Sequence, residues 1–157
     1  MKLEPIDYEM MARALNLATK GIYTSTPNPS VGCVITQNGK IVGEGYTKPA
    51  GGNHAEIEAL SKLSDASDCC VYVTLEPCSH YGKTGPCAMA LIDAGVSRVV
   101  VACEDPNPLV SGKGIKLLEE AGIGVDVGLL EDQARALNQG FIKRCEHGLP
   151  WVTIKMA

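Results

Sequence analysis

Two apolar runs, Val31-Gly32-Cys33-Val34-Ile35-Thr36 and Ile41 to Tyr46, flank the tetrapeptide Gln37-Asn38-Gly39-Lys40. No other feature restricts the fold as strongly. Asn-Gly supplies the positive φ angles of a tight turn, so the two runs are expected to pair as an antiparallel hairpin. Helical and strand patterns surround it. Residues 7–20 place Met10, Met11, Ala14, Leu15, Leu17 and Ala18 at helical spacing. Thr26-Pro27-Asn28-Pro29 then breaks the chain. After the hairpin, the pattern predicts a helix from near His54 and a strand over Cys70–Leu75. A helix running to about Ala94 comes next, with Gly95 as its C-terminal cap. A strand follows over Ser97–Ala102, a helix over Gly114–Ala121 closed by Gly122, and a short strand over Gly124–Val127. Residues 131–145 read as one last helix and Trp151–Ile154 as one more strand. A hairpin followed by β-α units predicts an α/β fold: a three-layer α/β/α sandwich around a mixed sheet of about five strands.

With 157 residues the chain has room for one domain. It is expected to span residues 1–150, with 151–157 a terminal strand or the start of a linker. No apolar run approaches the roughly 18 residues of a membrane helix. Glu4, Asp7 and Glu9 replace the apolar stretch of a signal peptide. The expectation is a soluble, cytoplasmic protein without a membrane partner. A net charge of −4 disfavours a protein that lives on nucleic-acid phosphates. One Phe, one Trp and five Tyr are too few for a base-stacking platform. Seven cysteines are an odd number for a disulfide framework. Reduced thiols, some of them holding a metal, are the better reading.

The chemistry concentrates in His54-Ala55-Glu56, Pro77-Cys78 and Cys87. One imidazole and two thiolates supply three zinc ligands and leave a fourth position open, as a catalytic zinc requires. Glu56, two residues after His54, is placed to reach a water at that position. There it can take a proton and pass it to a leaving amine. The ordered set fits the zinc-deaminase pattern H-x-E…P-C-x-x-C, with one departure: eight residues, Ser79 to Pro86, separate Cys78 from Cys87. That loop has to arch over the site, carrying His80 and Lys83 towards a substrate. Lys83 could then meet an anionic group such as a phosphate. The plainer alternatives are a solvated lysine and a histidine bonded to its own loop.

Several stretches resemble the deaminase domain of the bacterial riboflavin-biosynthesis deaminase/reductase, a branch of the cytidine-deaminase-like superfamily. They are Thr26-Pro27-Asn28-Pro29-Ser30-Val31-Gly32-Cys33, Ala50-Gly51 ahead of His54-Ala55-Glu56, and Tyr72-Val73-Thr74-Leu75-Glu76-Pro77-Cys78-Ser79-His80. Asp105-Pro106-Asn107-Pro108 and Leu137-Asn138-Gln139-Gly140-Phe141 belong with them. The resemblance implies hydrolytic deamination of 2,5-diamino-6-ribosylamino-4(3H)-pyrimidinone 5′-phosphate to the corresponding uracil, with release of ammonia. It implies one zinc on His54, Cys78 and Cys87, and Glu56 as proton shuttle. Asn28, Thr47, His80, Lys83, Asp105 and Asn107 would contact the substrate. Asn28, Asp105 and Asn107 also have a bland reading, as turn formers that hold their own backbone. The family commonly has His where this chain has Thr47, and Pro where it has Gly85. The resemblance further implies a homodimer or homotetramer and, in the bifunctional members, a C-terminal NADPH-dependent reductase domain, for which these residues hold no site; the chain reads either as a stand-alone deaminase or as one cut at that domain junction. Two other readings stay open: a zinc deaminase for another pyrimidine or purine base, and a non-catalytic zinc-stabilised domain. In the second, Cys33, Cys69, Cys70, Cys103 or Cys145 could close the metal shell, although Cys33, Cys70 and Cys103 sit with apolar strands and suit core packing.

Overall fold

The computed structural model describes residues 3–81, 85–108 and 110–156. Its five strands are β1 (Gly32–Gln37), β2 (Lys40–Tyr46), β3 (Cys70–Val73), β4 (Arg98–Val101) and β5 (Gly124–Val127), in the order β2-β1-β3-β4-β5. β1 runs antiparallel to β2 and β3, while β3, β4 and β5 are parallel. The hairpin closes as Asn-Gly dictates, with Asn38 at φ 51° and Gly39 at φ 74°. Val99, Val100 and Val101 are fully buried on both faces, as an inner parallel strand demands.

Among the described residues six α-helices flank the sheet: α1 (Pro5–Ala18), α2 (Ala55–Leu60), α3 (Cys87–Asp93), α4 (Lys113–Glu120), α5 (Glu131–Leu137) and α6 (Gln139–His147). α1 packs on β1 and β3, with α5 beside it; α2 packs on β2 and β1, and α3 touches both α2 and α4. Glycines permit these approaches. A Cβ on Gly32 would lie 1.9 Å from the Ala14 carbonyl of α1, and one on Gly45 would lie 2.1 Å from the Ala55 carbonyl of α2. Gly32 and its neighbour Cys33, which pairs with Gly45, alternate across the sheet, so α1 and α2 cover opposite faces. The expected three-layer mixed α/β architecture is the one observed.

A charged cluster fastens α1 to the sheet. Asp7 is 1% exposed. It accepts hydrogen bonds from the Glu4 N–H (2.8 Å), the Tyr72 hydroxyl (2.9 Å) and Arg98 (2.8 and 3.2 Å). Arg98 also bonds Asp126 on β5 at 2.9 Å. Burial pushes the Asp7 carboxyl up. The Arg98 fork and the other two donors outweigh it and hold the group below its ordinary range.

Two expectations fail. The helix expected over 131–145 is two helices, broken at Asn138 (φ −117°, ψ 23°). The Asn138 side chain bonds Ser30 in both directions, accepting from its N–H at 2.8 Å and donating to its carbonyl at 3.0 Å. These distant bonds fix the break against a continuous helical pattern. Trp151–Ile154 forms no strand. No strand in the described sheet pairs with it, and Ile154 stays 82% exposed. Among the described residues no helix is long and apolar enough to cross a membrane.

Candidate functional site

Three segments converge beyond the end of β3. His54 is the N-cap of α2, Cys78 follows the buried turn after β3, and Cys87 opens α3. The three ligand atoms lie within 4.8 Å of one another. His54 Nδ1 is 3.3 Å from Cys87 Sγ and 3.7 Å from Cys78 Sγ. A tetrahedral zinc with Zn–N near 2.0 Å and Zn–S near 2.3 Å has N···S edges of about 3.6 Å, so donor set and spacing both fit that ion. The Cys87 N–H donates to Cys78 Sγ at 3.3 Å, which stabilises thiolate there. The side-chain hydrogen bond from Cys87, with help from His54, holds Cys78 well below the usual thiol range. The bond to Cys78 also raises His54. Among the described residues no other Cys, His, Asp or Glu joins the group. Cys33, Cys69 and Cys103 are buried, Cys33 and Cys103 as the core role predicts, while Cys70 and Cys145 are half-buried.

His54 and Cys78 open into a cavity of about 230 Å³ that Glu56 also lines. Glu56 is 3% exposed, and burial pushes its carboxyl up to about 7. A carboxyl near neutrality can both accept and release a proton. The walls hold Asn28 from the loop before β1, Thr47 from the end of β2, and Asp105 and Asn107 from the loop after β4; His80 is at the exposed rim. The structure thus brings these residues together on one cavity. Lys83 lies outside the described residues. A larger groove runs along α5 and α6, and another, lined in part by the same Asn28 and Phe141, adjoins the cavity; neither holds a Cys/His cluster.

The details differ from residue to residue. Thr47 is buried, and its hydroxyl accepts the Val31 N–H at 3.0 Å, so this group helps to hold the entry to β1. Asp105 Oδ1 accepts the Asn107 N–H at 2.8 Å, which makes Asp105 a turn former as well as a wall residue. Burial raises the Asp105 carboxyl, and the Glu76 charge adds to that. Among the wall residues that the sequence reading gave no site role are Glu76 and Phe141. Phe141 is the only Phe in the chain, and that scarcity was the available signal. Glu76 had only its place beside Pro77-Cys78.

Residues 5–103 match the family described as the cytidine and deoxycytidylate deaminase zinc-binding region. RibD, a riboflavin biosynthesis protein of Haemophilus influenzae, is 56% identical over 152 residues, which cover 96% of this chain and 41% of that protein. The diaminohydroxyphosphoribosylamino-pyrimidine deaminase of Buchnera aphidicola subsp. Acyrthosiphon pisum is 50% identical over 145 residues, covering 92% of this chain and 99% of that protein. The solved structure of Acinetobacter baumannii RibD superposes with a TM-score of 0.91 at 51% identity, over 93% of this chain and 41% of that one. The chain therefore spans less than half the length of its longer relatives and nearly all of the shorter one. With a zinc-binding family matched over the segment that carries His54, Cys78 and Cys87, and a relative of its own size matched almost end to end, the chain belongs to the cytidine and deoxycytidylate deaminases, on their riboflavin-biosynthesis branch.

Proposed function

We propose that the chain is a zinc-dependent hydrolase that removes the exocyclic amine of 2,5-diamino-6-ribosylamino-4(3H)-pyrimidinone 5′-phosphate. The observation that carries this reading is the buried Glu56 in the same cavity as His54 and Cys78, with Cys87 completing the ligand trio. His54 through Nδ1, Cys78 and Cys87 would hold the zinc. When bound, the ion supplies Lewis acidity to the attacking water. Glu56 takes one proton from that water as its oxygen adds to the ring carbon bearing the amine. It then delivers that proton to the amine nitrogen, the C–N bond breaks, and ammonia leaves as the carbonyl forms, the second proton of the water ending on the adjacent ring nitrogen. Asn28, Asp105 and Asn107 present amide and carboxyl groups with which to orient a polar ring, and His80 and Lys83 are assigned to the ribosyl phosphate.

Domain limits of 1–150, a cytoplasmic site of action, a homodimeric or homotetrameric state and a C-terminal reductase partner belong to the same reading. The resemblance supports them, and the greater length of the RibD relatives supports the reductase partner. The test is ammonia release from this substrate by purified protein, with metal content measured on the same sample. Turnover with about one zinc per chain is expected. Zinc without turnover overturns the substrate. One observation favours a second reading: the Thr47 hydroxyl is engaged with Val31, which leaves no ionisable group on that wall position. A panel of unphosphorylated pyrimidines and purines tests whether another amine-bearing ring is preferred.

A further inference from the structure

Glu76 stands directly before the Pro77-Cys78 pair and is 4% exposed. Its carboxylate collects four main-chain N–H groups from 29 to 39 residues downstream. One oxygen, Oε2, accepts from Asp105 at 3.0 Å and Gly112 at 2.9 Å. The other, Oε1, accepts from Gly114 at 2.8 Å and Ile115 at 3.4 Å. The approach is close on the main chain too, since a Cβ on Gly114 would sit 1.9 Å from the Pro77 carbonyl. Asp105, gripped through its N–H, in turn fixes Asn107 through the 2.8 Å bond from the Asn107 N–H to its own carboxyl. One covalent and hydrogen-bonded path thus runs from the metal-ligand segment through Glu76 to the two polar residues on the cavity wall.

We propose that Glu76 is a positioning residue for substrate recognition: it sets the Asp105–Asn107 turn at a fixed place relative to Cys78. It acts on the binding of the ring and not on the metal or the proton transfer. The inference rests on the reading that this cavity takes the diaminopyrimidinone ring. A carboxylate is required because both oxygens must accept. A glutamine in the same space has one carbonyl oxygen for one pair of donors and turns its NH2 towards the other pair. The buried N–H groups of that pair are then left without an acceptor.

The experiment compares wild type and Glu76→Gln as zinc-loaded full chains, with three readouts: zinc content, steady-state deamination, and amide hydrogen exchange at Asp105 and Gly112. Zinc content is expected to be unchanged. KM should rise about tenfold with kcat within about twofold, the signature of lost uniform binding. Exchange at the two amides should accelerate at least tenfold. Asp105→Ala, which removes the acceptor of the Asn107 N–H, should raise KM by itself, and the double variant should raise it no further, because both act through one turn. Fast exchange with a wild-type KM would make Glu76 merely structural and overturn the proposal; so would a loss of kcat or zinc at constant KM. A wild type that binds zinc yet leaves the phosphoribosyl pyrimidine untouched overturns the substrate reading instead, and the same KM comparison is then made on the panel ring it does deaminate. Should Glu76→Gln lose its cooperative unfolding transition, Glu76→Asp carries the test. It keeps the charge but is one methylene too short to span all four donors, and the same rise in KM without loss of kcat is required.

Discussion

Replacing Gly45 with alanine tests whether α2 holds His54 and Glu56 in place by resting on bare backbone. A Cβ at position 45 would meet the Ala55 carbonyl at 2.1 Å, the Ala59 nitrogen at 2.7 Å and the Glu58 Cβ at 2.8 Å. The first contact is short of the 3.4 Å at which ordinary van der Waals contact begins, so α2 must retreat by about 1 Å. No flexible side chain can give way, because the opposing carbonyl and nitrogen are helix backbone. His54 is the N-cap of that helix and Glu56 lies in its first turn. A retreat of this size exceeds the roughly 0.2 Å tolerance of metal–ligand distances. A misplacement of about 1 Å in catalytic geometry costs about 10²-fold in rate. Gly45→Ala is therefore expected to lose at least tenfold in zinc affinity by chelator competition and about 10²-fold in kcat/KM, with overpacking of about 1–3 kcal/mol seen in denaturant unfolding. Gly140→Ala is the control: its Cβ meets only Trp151 Cβ at 3.7 Å, so the helix-propensity gain of about 0.5–1 kcal/mol should appear without loss of zinc. A cooperatively folded Gly45→Ala protein with wild-type zinc affinity and rate would refute the rigid coupling of α2 to β2.

Three further outcomes are expected. Glu56→Gln should keep its zinc and lose about 10²- to 10⁴-fold in kcat, the usual weight of a positioned proton-transfer group; undiminished turnover would remove Glu56 from the chemistry. Asp7→Asn should cost about 3–5 kcal/mol by leaving Arg98 short of its buried counter-charge. Because folding lowers the Asp7 pKa from its ordinary 3.8, its stabilising contribution is in place at neutral pH and is lost as pH falls through the folded value. Urea midpoints followed from pH 7 to pH 2 should show a smaller acid loss in the variant. Asn138→Ala leaves the Ser30 N–H and carbonyl without their partners and should cost about 1–3 kcal/mol, read as a lower Tm.

The hairpin was legible because Asn38-Gly39 writes its own turn, and the metal trio because type and order of residues carry its chemistry. What stayed hidden depends on contacts far apart in the chain. The helical pattern through Ala134, Leu137, Phe141 and Ile142 runs on without a sign of the break at Asn138, whose partner is 108 residues away. Glu76 read as a residue beside a cysteine, while its four donors lie in another loop and the start of α4. Asp7 read as one of several acidic residues near the N-terminus, yet it anchors a buried ion cluster on β4. Thr47 was expected to face the substrate, and its hydroxyl is bonded to Val31. No local pattern could announce these pairings, since each was made by the packing of the sheet and its helices.

The cavity described above draws its walls from two stretches of the chain, one inside the matched deaminase region and one after it. His54, Glu56, Cys78 and Cys87 all fall inside residues 5–103, the part matched to the wider deaminase family. Asp105, Asn107, Val110 and Phe141 on the opposite side come after that match ends. Substitutions at Asp105, Asn107, Val110 or Phe141 would reshape that part of the wall while His54, Glu56, Cys78 and Cys87 keep their places.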